Sequence, residues 1–219
     1  MNLKEKRKKE LQLQKEQRKE VVINEAINII NEKGINNTTV QEIADRAEIG
    51  VASVYRYFKT KNDLVIDAAI YLWEKQISLF MGEFEKDSYT ILDGLNKVKK
   101  ILSIYINIYH NHKDFLNFLE QFDNYIVKEK ISVDKLNRYE KSILNIKSIM
   151  ITALEQGKKD GSINKSIDNN AFYITVTHTL ISLSQKLTLR GYILKNDNEV
   201  SDDTQLNLLI DMAINYIIS

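Results

Sequence analysis

Across 219 residues the chain contains no proline and only 7 glycines. These residues break helices and supply tight turns, so long helices can run uninterrupted while hairpins have almost nothing to turn on. Leu, Ile, Lys, Glu and Asn dominate, and 43% of the residues are hydrophobic, enough to bury a core at this length. An all-α globular protein is the expectation. The absence of cysteine excludes disulfides, thiolate zinc sites and cysteine nucleophiles, and it fits a reducing, cytoplasmic setting. The opening MNLKEKRKKELQLQKEQRKE is charged where a signal peptide needs an apolar run. No later segment reaches the roughly 18 uncharged apolar residues of a membrane span.

The net charge of +1 is unevenly spread: residues 1–63 carry 13 Lys or Arg against 10 Asp or Glu, and residues 64–219 carry 18 against 20. Most of the basic excess lies in the first twenty residues, with 8 basic to 4 acidic. Residues 1–19 therefore read as a basic arm or helix extension suited to a polyanion, or as a merely solvated charged helix.

Val22, Ile23, Ala26, Ile27 and Ile30 recur at helical spacing, and Gly34 ends that helix. Thr39-Val40-Gln41-Glu42 has the form of a capping box for a second helix, with Thr38 and Gln41 as the alternative register. Val40, Ile43, Ala44 and Ala47 give that helix one apolar face, and Glu48-Ile49-Gly50 leaves room only for a tight turn before a third helix at about Val51 to Phe58. This is a helix-turn-helix pattern. At about 100° per residue, Val54 and Phe58 share the inward face of the third helix. Ala52, Ser53 and Arg56 lie opposite, with Tyr55 and Tyr57 at the edges. Small residues permit close approach to a surface, Arg can donate two hydrogen bonds to guanine in a major groove, and Tyr or Lys can hold phosphates.

Residues from about 20 to 66 resemble the DNA-binding domain of the TetR/AcrR transcriptional regulators. The likeness is carried by T-x-x-x-I-A-x-x-A from Thr39 to Ala47, V-Y-x-Y-F from Val54 to Phe58 and K-x-K-x-D-L from Lys59 to Leu64. It implies phosphate contacts from Thr38, Thr39, Tyr57, Lys59 and Lys61. It also implies base or groove contacts from Val51, Ala52, Ser53, Tyr55 and Arg56. Gly50 and Val51 depart from the pattern, because many members carry Ser or Thr at the first position and a basic or polar residue at the second. Glycine can cap a helix but offers no side chain.

Further helices are expected from Thr60 through Phe84 and at about Ile91 to His110, Asp114 to Lys128, Val133 to Lys159, Asn169 to Leu189 and Thr204 to Ile218. That makes about nine in all. The domains read as a helix-turn-helix DNA-binding domain at 20–66 and a ligand-binding and dimerisation domain at 67–219, joined by a continuous fourth helix. The last two helices are apolar around most of their circumference, more than a monomer would leave wet. The resemblance implies that they pair with their copies in a homodimer, through Phe172, Val176, Leu180, Leu183, Leu187, Leu209, Met212, Ala213 and Tyr216. A two-fold dimer suits a palindromic operator.

Aromatic residues gather between Trp73 and Tyr139. Ordinary core packing is one reading. The resemblance implies the other, a cavity for a small, often apolar effector, lined by Trp73, Phe80, Tyr105, Tyr109, Phe115, Phe118, Phe122, Tyr125 and Tyr139, with His178 as a further candidate. His110, His112 and Asp114 invite a metal reading, but a spacing of two puts the imidazoles on different helix faces, so no metal or cofactor is assigned. No phosphate loop, nucleophile elbow or H-E-x-x-H motif occurs. The chain therefore reads as a regulator, expected to be a repressor released from DNA by its effector. The alternatives are a helical homodimer acting through protein partners and, less well supported, a small-molecule enzyme.

Overall fold

The computed structural model describes residues 2–191 and 193–219, the side chains of residues 144, 145 and 198 excepted. It is all-α, with no strand among the described residues. The helices are α1 (Leu3–Lys33), α2 (Val40–Arg46), α3 (Val51–Tyr57), α4 (Lys61–Phe84), α5 (Asp87–Thr90), α6 (Gly94–Asn111), α7 (Lys113–Lys128), α8 (Val133–Asp160), α9 (Asn169–Arg190) and α10 (Asp202–Ile218). A 3-10 turn occupies Lys195–Asn198. The single turn of α5 and the 3-10 turn lie where the sequence suggests only connections. Helix α6 starts at Gly94 rather than Ile91 because the Asp93 carboxylate caps it by accepting from the Asn96 N–H at 2.7 Å.

The chain forms two compact units: residues 1–72 with 121–139, and residues 73–120 with 140–219. The charged N-terminal segment is a helix extension. It continues without a break into the apolar half of α1, whose Val22, Ala26 and Ile30 are at most 1% exposed. Gly34 closes α1 at φ 87°, a backbone conformation unfavourable to other residues. Thr39 and Glu42 form the reciprocal capping box of α2: the Thr39 hydroxyl accepts from the Glu42 N–H, and the Glu42 carboxylate accepts from the Thr39 N–H. The alternative register is not used, since the Thr38 hydroxyl donates to the Gly34 carbonyl at 2.8 Å.

In the second unit α6 and α8 meet backbone to backbone. A Cβ on Gly94 would lie 2.0 Å from the Gly157 nitrogen, so no larger residue fits. The Asp160 carboxylate accepts from the Gly94 N–H at 2.8 Å, and the Ser162 hydroxyl accepts from the Leu95 N–H at 3.1 Å. These bonds satisfy donors that the first turn of α6 would otherwise leave open.

Candidate nucleic-acid interface and ligand cavity

Helix α3 has two distinct sides. Val54 and Phe58 are 1% and 2% exposed, and Ile43, Ala44 and Ala47 of the preceding segment are likewise buried. Ala52, Tyr55 and Arg56 are exposed, while Val51, Ser53 and Tyr57 are half-buried. The Arg56 guanidinium donates to the Ser53 hydroxyl at 3.3 Å and lies 5.7 Å from the centre of the Tyr57 ring. Its exposed donors can be redirected at small cost. Lys59 is exposed just beyond the helix, and Thr39 is exposed at the start of α2.

Two side chains expected at phosphates are turned inward. Thr38 is 2% exposed, with its hydroxyl committed to Gly34. Lys61 is partly buried, and its ammonium donates to the Ile35 carbonyl at 2.6 Å and sits 6.0 Å from the centre of the Tyr125 ring. Burial lowers the Lys61 pKa from its ordinary value, with Glu129 and Glu42 opposing the shift. In this structure both side chains brace the α1–α2 connection.

Glu42 is held well below the usual carboxylate range, at about 2, first by the hydrogen bond from the Lys33 ammonium and then by those from Thr39. Asp67 accepts from Lys19 at 2.7 Å and from Arg138 at 3.0 Å. Tyr125 donates its hydroxyl to the Asn62 side-chain oxygen Oδ1 at 2.6 Å.

The second unit contains a narrow apolar cavity lined by α4, α6 and α8. Of the aromatic residues expected at a ligand, Trp73, Phe80 and Tyr105 line it. Isoleucines supply much of the rest: Ile77, Ile101, Ile104, Ile108, Ile146 and Ile149. Met81, Phe84 and Gln76 complete the wall. Gln76 is 4% exposed, and its side-chain oxygen is buried without a hydrogen-bond partner. An aromatic count overlooks this wall. The signal was present in α4, where Ile77, Phe80, Met81 and Phe84 repeat at i, i+3, i+4 and i+7.

The other anticipated cavity residues lie elsewhere. Phe115 packs edge-on against Trp73 at 4.9 Å between ring centres and, with Phe118, belongs to the buried core. Tyr109 is buried and donates its hydroxyl to the Asp202 carboxylate. Phe122, Tyr125 and Tyr139 fall in the first unit, where the Phe122 and Tyr139 rings are 4.8 Å apart. His178 is exposed on α9. Burial pushes the Tyr105 hydroxyl up from its ordinary pKa, and the neighbouring Tyr173 adds to the shift. That hydroxyl is therefore neutral at any physiological pH.

His110 pairs with Asp203 at 2.7 Å, and the His112 ring packs edge-on toward Phe80 at 6.4 Å. Burial, followed by the Lys75 charge, lowers the pKa of His112. The two imidazoles have different neighbours, as their spacing requires.

Of the residues anticipated at a dimer interface, Phe172, Val176, Leu180, Leu187 and Ala213 are buried within their own unit. Leu183 and Leu209 are half-buried, while Met212 and Tyr216 are 61% and 60% exposed. The apolar side chains facing outward on these helices are Ile174, Leu189, Leu208, Met212, Tyr216 and Ile218. Helix α9 is apolar nearly all round, so periodicity does not select which face turns in; packing against α6 and α10 does.

Comparison with known proteins agrees with this architecture. The model of the tetR family of bacterial regulatory proteins matches residues 22–68. The fatty acid metabolism regulator protein of Bacillus subtilis is 25% identical over 150 residues, covering 67% of this chain and 71% of that protein. The probable HTH-type transcriptional regulator YttP, also of Bacillus subtilis, is 25% identical over 150 residues, covering 64% of this chain and 65% of its own length. The match thus spans just under two thirds of YttP. The crystal structure of a TetR transcription regulator from Haloarcula marismortui superposes with a TM-score of 0.70 at 15% identity, covering 92% of this chain and 97% of that one. That of the regulator FadR from Bacillus subtilis in complex with stearoyl-CoA gives 0.64 at 17% identity, covering 90% and 98%. The family match covers the same residues as the capped α2 and the two-sided α3, and over residues 22–68 the chain is similar to the tetR family of bacterial regulatory proteins.

Proposed function

We propose that the protein is a homodimeric repressor that binds a palindromic operator through α3 and is released by a small, largely apolar effector. The single observation that carries the DNA reading is the outward face of α3, where Ala52, Tyr55 and Arg56 are exposed above a fully buried Val54. Arg56 is assigned to a base edge; Ala52 and Ser53 allow close approach to the groove, and Val51 packs at its edge. Tyr55 reaches the groove beside Arg56, and Tyr57, Thr39 and Lys59 hold the backbone. Thr38 and Lys61 are assigned a positioning role, since their donors are used inside the domain. The corresponding domain division is residues 20–66 for DNA and 67–219 for effector and self-association, with residues 1–19 an extension of the first.

The dimer reading rests on exposed apolar side chains that recur at one-turn spacing. Leu208, Met212 and Tyr216 do so on α10, and on α9 the exposed Ile174 and the half-buried Ile181 flank the exposed His178 at the same spacing. Pairing these stripes with their copies removes from water a surface that a monomer leaves wet.

The effector reading rests on the isoleucine-rich cavity. Its wall suits an aliphatic or aromatic body, and the unpartnered Gln76 oxygen would accept a hydrogen bond from the effector. Helix α4 is continuous from Lys61 to Phe84, and its last turns line the cavity. An effector that favours a shifted α4 would therefore lower DNA affinity.

The test is in vitro selection of random duplexes by the purified chain at a stated salt concentration. Enrichment of a two-fold symmetric motif is the expected result. A folded, effector-free dimer that enriches nothing would instead support a role through protein partners.

A further inference from the structure

The N-terminal extension separates its charges in a way that composition alone does not show. At about 100° per residue, Lys4, Arg7, Lys8, Lys15, Arg18 and Lys19 of α1 fall within an arc of about 120°. Glu5, Glu10, Glu16 and Glu20 all fall outside that arc, on the remaining surface with Lys6 and Lys9. One side carries six cations and no carboxylate; the other carries four carboxylates and two cations. Among the described residues no ion pair engages Lys4, Arg7, Lys8, Lys15 or Arg18, and residues 2–18 are exposed throughout.

The roll of this stripe is set by the folded part of the first unit. Lys19, at its end, reaches the Asp67 carboxylate at 2.7 Å and lies 5.3 Å from the centre of the Phe58 ring. About 100° further round the helix, Glu20 accepts from the Tyr71 hydroxyl at 3.1 Å. These contacts fix the helix rotation, so the stripe starts beside Phe58, the C-cap residue of α3.

We propose that this stripe binds the phosphate backbone of duplex DNA flanking the operator, a sequence-independent contact that lengthens the footprint. The inference rests on the DNA-binding reading above. Charge complementarity identifies the partner: a one-sided row of long cationic side chains meets a regular row of phosphates, while the carboxylates face away. Residues 3–18 at about 1.5 Å each span about 24 Å, or about 7 base pairs. No base reading is assigned, because the stripe offers ammonium and guanidinium groups on flexible stems and lacks a packed surface that would hold them in register.

The experiment compares the full-length parent with the quadruple variant Lys4→Gln, Lys8→Gln, Lys15→Gln and Arg18→Gln. Each is titrated over a range of salt against the selected operator, either with long flanks or trimmed to the motif. On the flanked duplex the variant should lower the slope of log affinity against log salt by about 3 to 4 per bound chain, since each phosphate contact contributes about 0.9. On the trimmed duplex the two proteins should have nearly the same slope. A control variant with Lys6→Gln and Lys9→Gln, on the other side of the helix, should leave the slope within about 1 of the parent. Circular dichroism of each protein checks that the helix persists. Equal slopes for parent and quadruple variant on flanked DNA would overturn the proposal while leaving operator recognition intact. A parent that shows no sequence preference at all would instead overturn the reading on which the proposal rests.

Discussion

Helices α3 and α9 solve different problems. Helix α3 has seven residues, and within it only Val54 is buried; every other position is open or half-open to an external surface. Helix α9 has 22 residues and buries Phe172, Val176, Leu180 and Leu187 while leaving Ile174 and Leu189 exposed. The first is oriented by a contrast between apolar and polar sides, so its roll is settled by its own composition. The second is apolar on both sides, so its roll is settled by its neighbours, and the face left over remains available for another contact.

The largest expected effect comes from striking the inner face of α9. Leu180→Ala should destabilise the protein by about 2 to 5 kcal/mol, because the side chain is fully buried and leaves a cavity behind; urea unfolding measures it. Met212→Asp, on the exposed face of the partnering α10, should leave that unfolding midpoint nearly unchanged and instead shift sedimentation toward monomer. If both variants unfolded early, the separation of inner and outer faces would be wrong. On α3, Arg56→Ala should cost operator affinity by about 1 to 3 kcal/mol with thermal stability unaltered. An affinity loss that is uniform over all sequences would move Arg56 from a base edge to a phosphate.

A pH experiment addresses the capping box at the start of α2, the helix that precedes α3. The folded pKa of Glu42 is depressed from an ordinary 4.5 to about 2, so the folded state favours its carboxylate. The stability it contributes is present above about 4.5 and is lost as pH falls toward 2. Glu42→Gln should therefore flatten part of the acid limb of the stability curve, measured by thermal unfolding between those values. The smallest effect is expected at Gly50, where a Cβ would meet nothing within 4 Å. Gly50→Ser should stabilise by a few tenths of a kcal/mol by supplying the missing N-cap of α3. A larger change in operator affinity than in stability would place the new hydroxyl at a phosphate.

Local chemistry made part of the molecule readable in advance. The Thr39–Glu42 capping box and the inward placement of Val54 and Phe58 depend on residues within a turn or two of one another. Thr38 and Lys61 were harder, because what turns them inward is the carbonyls of Gly34 and Ile35, and a backbone acceptor has no signature in residue type. The cavity was half readable: its aromatic members stood out, whereas isoleucine serves equally in any helical core, so Ile101, Ile104, Ile146 and Ile149 carried no distinguishing mark. The outward face of α9 was unreadable for the same reason.

The glycine contact between α6 and α8 has a mechanical consequence. With Gly94 against Gly157, the two helices touch through bare backbone, and the Asp160 and Ser162 bonds hold that end of α6 in place. The facing cavity walls, Ile104 on one helix and Ile149 on the other, stand ten and eight residues from this pivot. A rotation of about 10° about the crossing displaces a residue ten positions along a helix by about 2.6 Å, since each residue adds about 1.5 Å of lever arm. Such a rotation would make the pair a hinged caliper, its closed end keeping fixed spacing while the jaws change their separation.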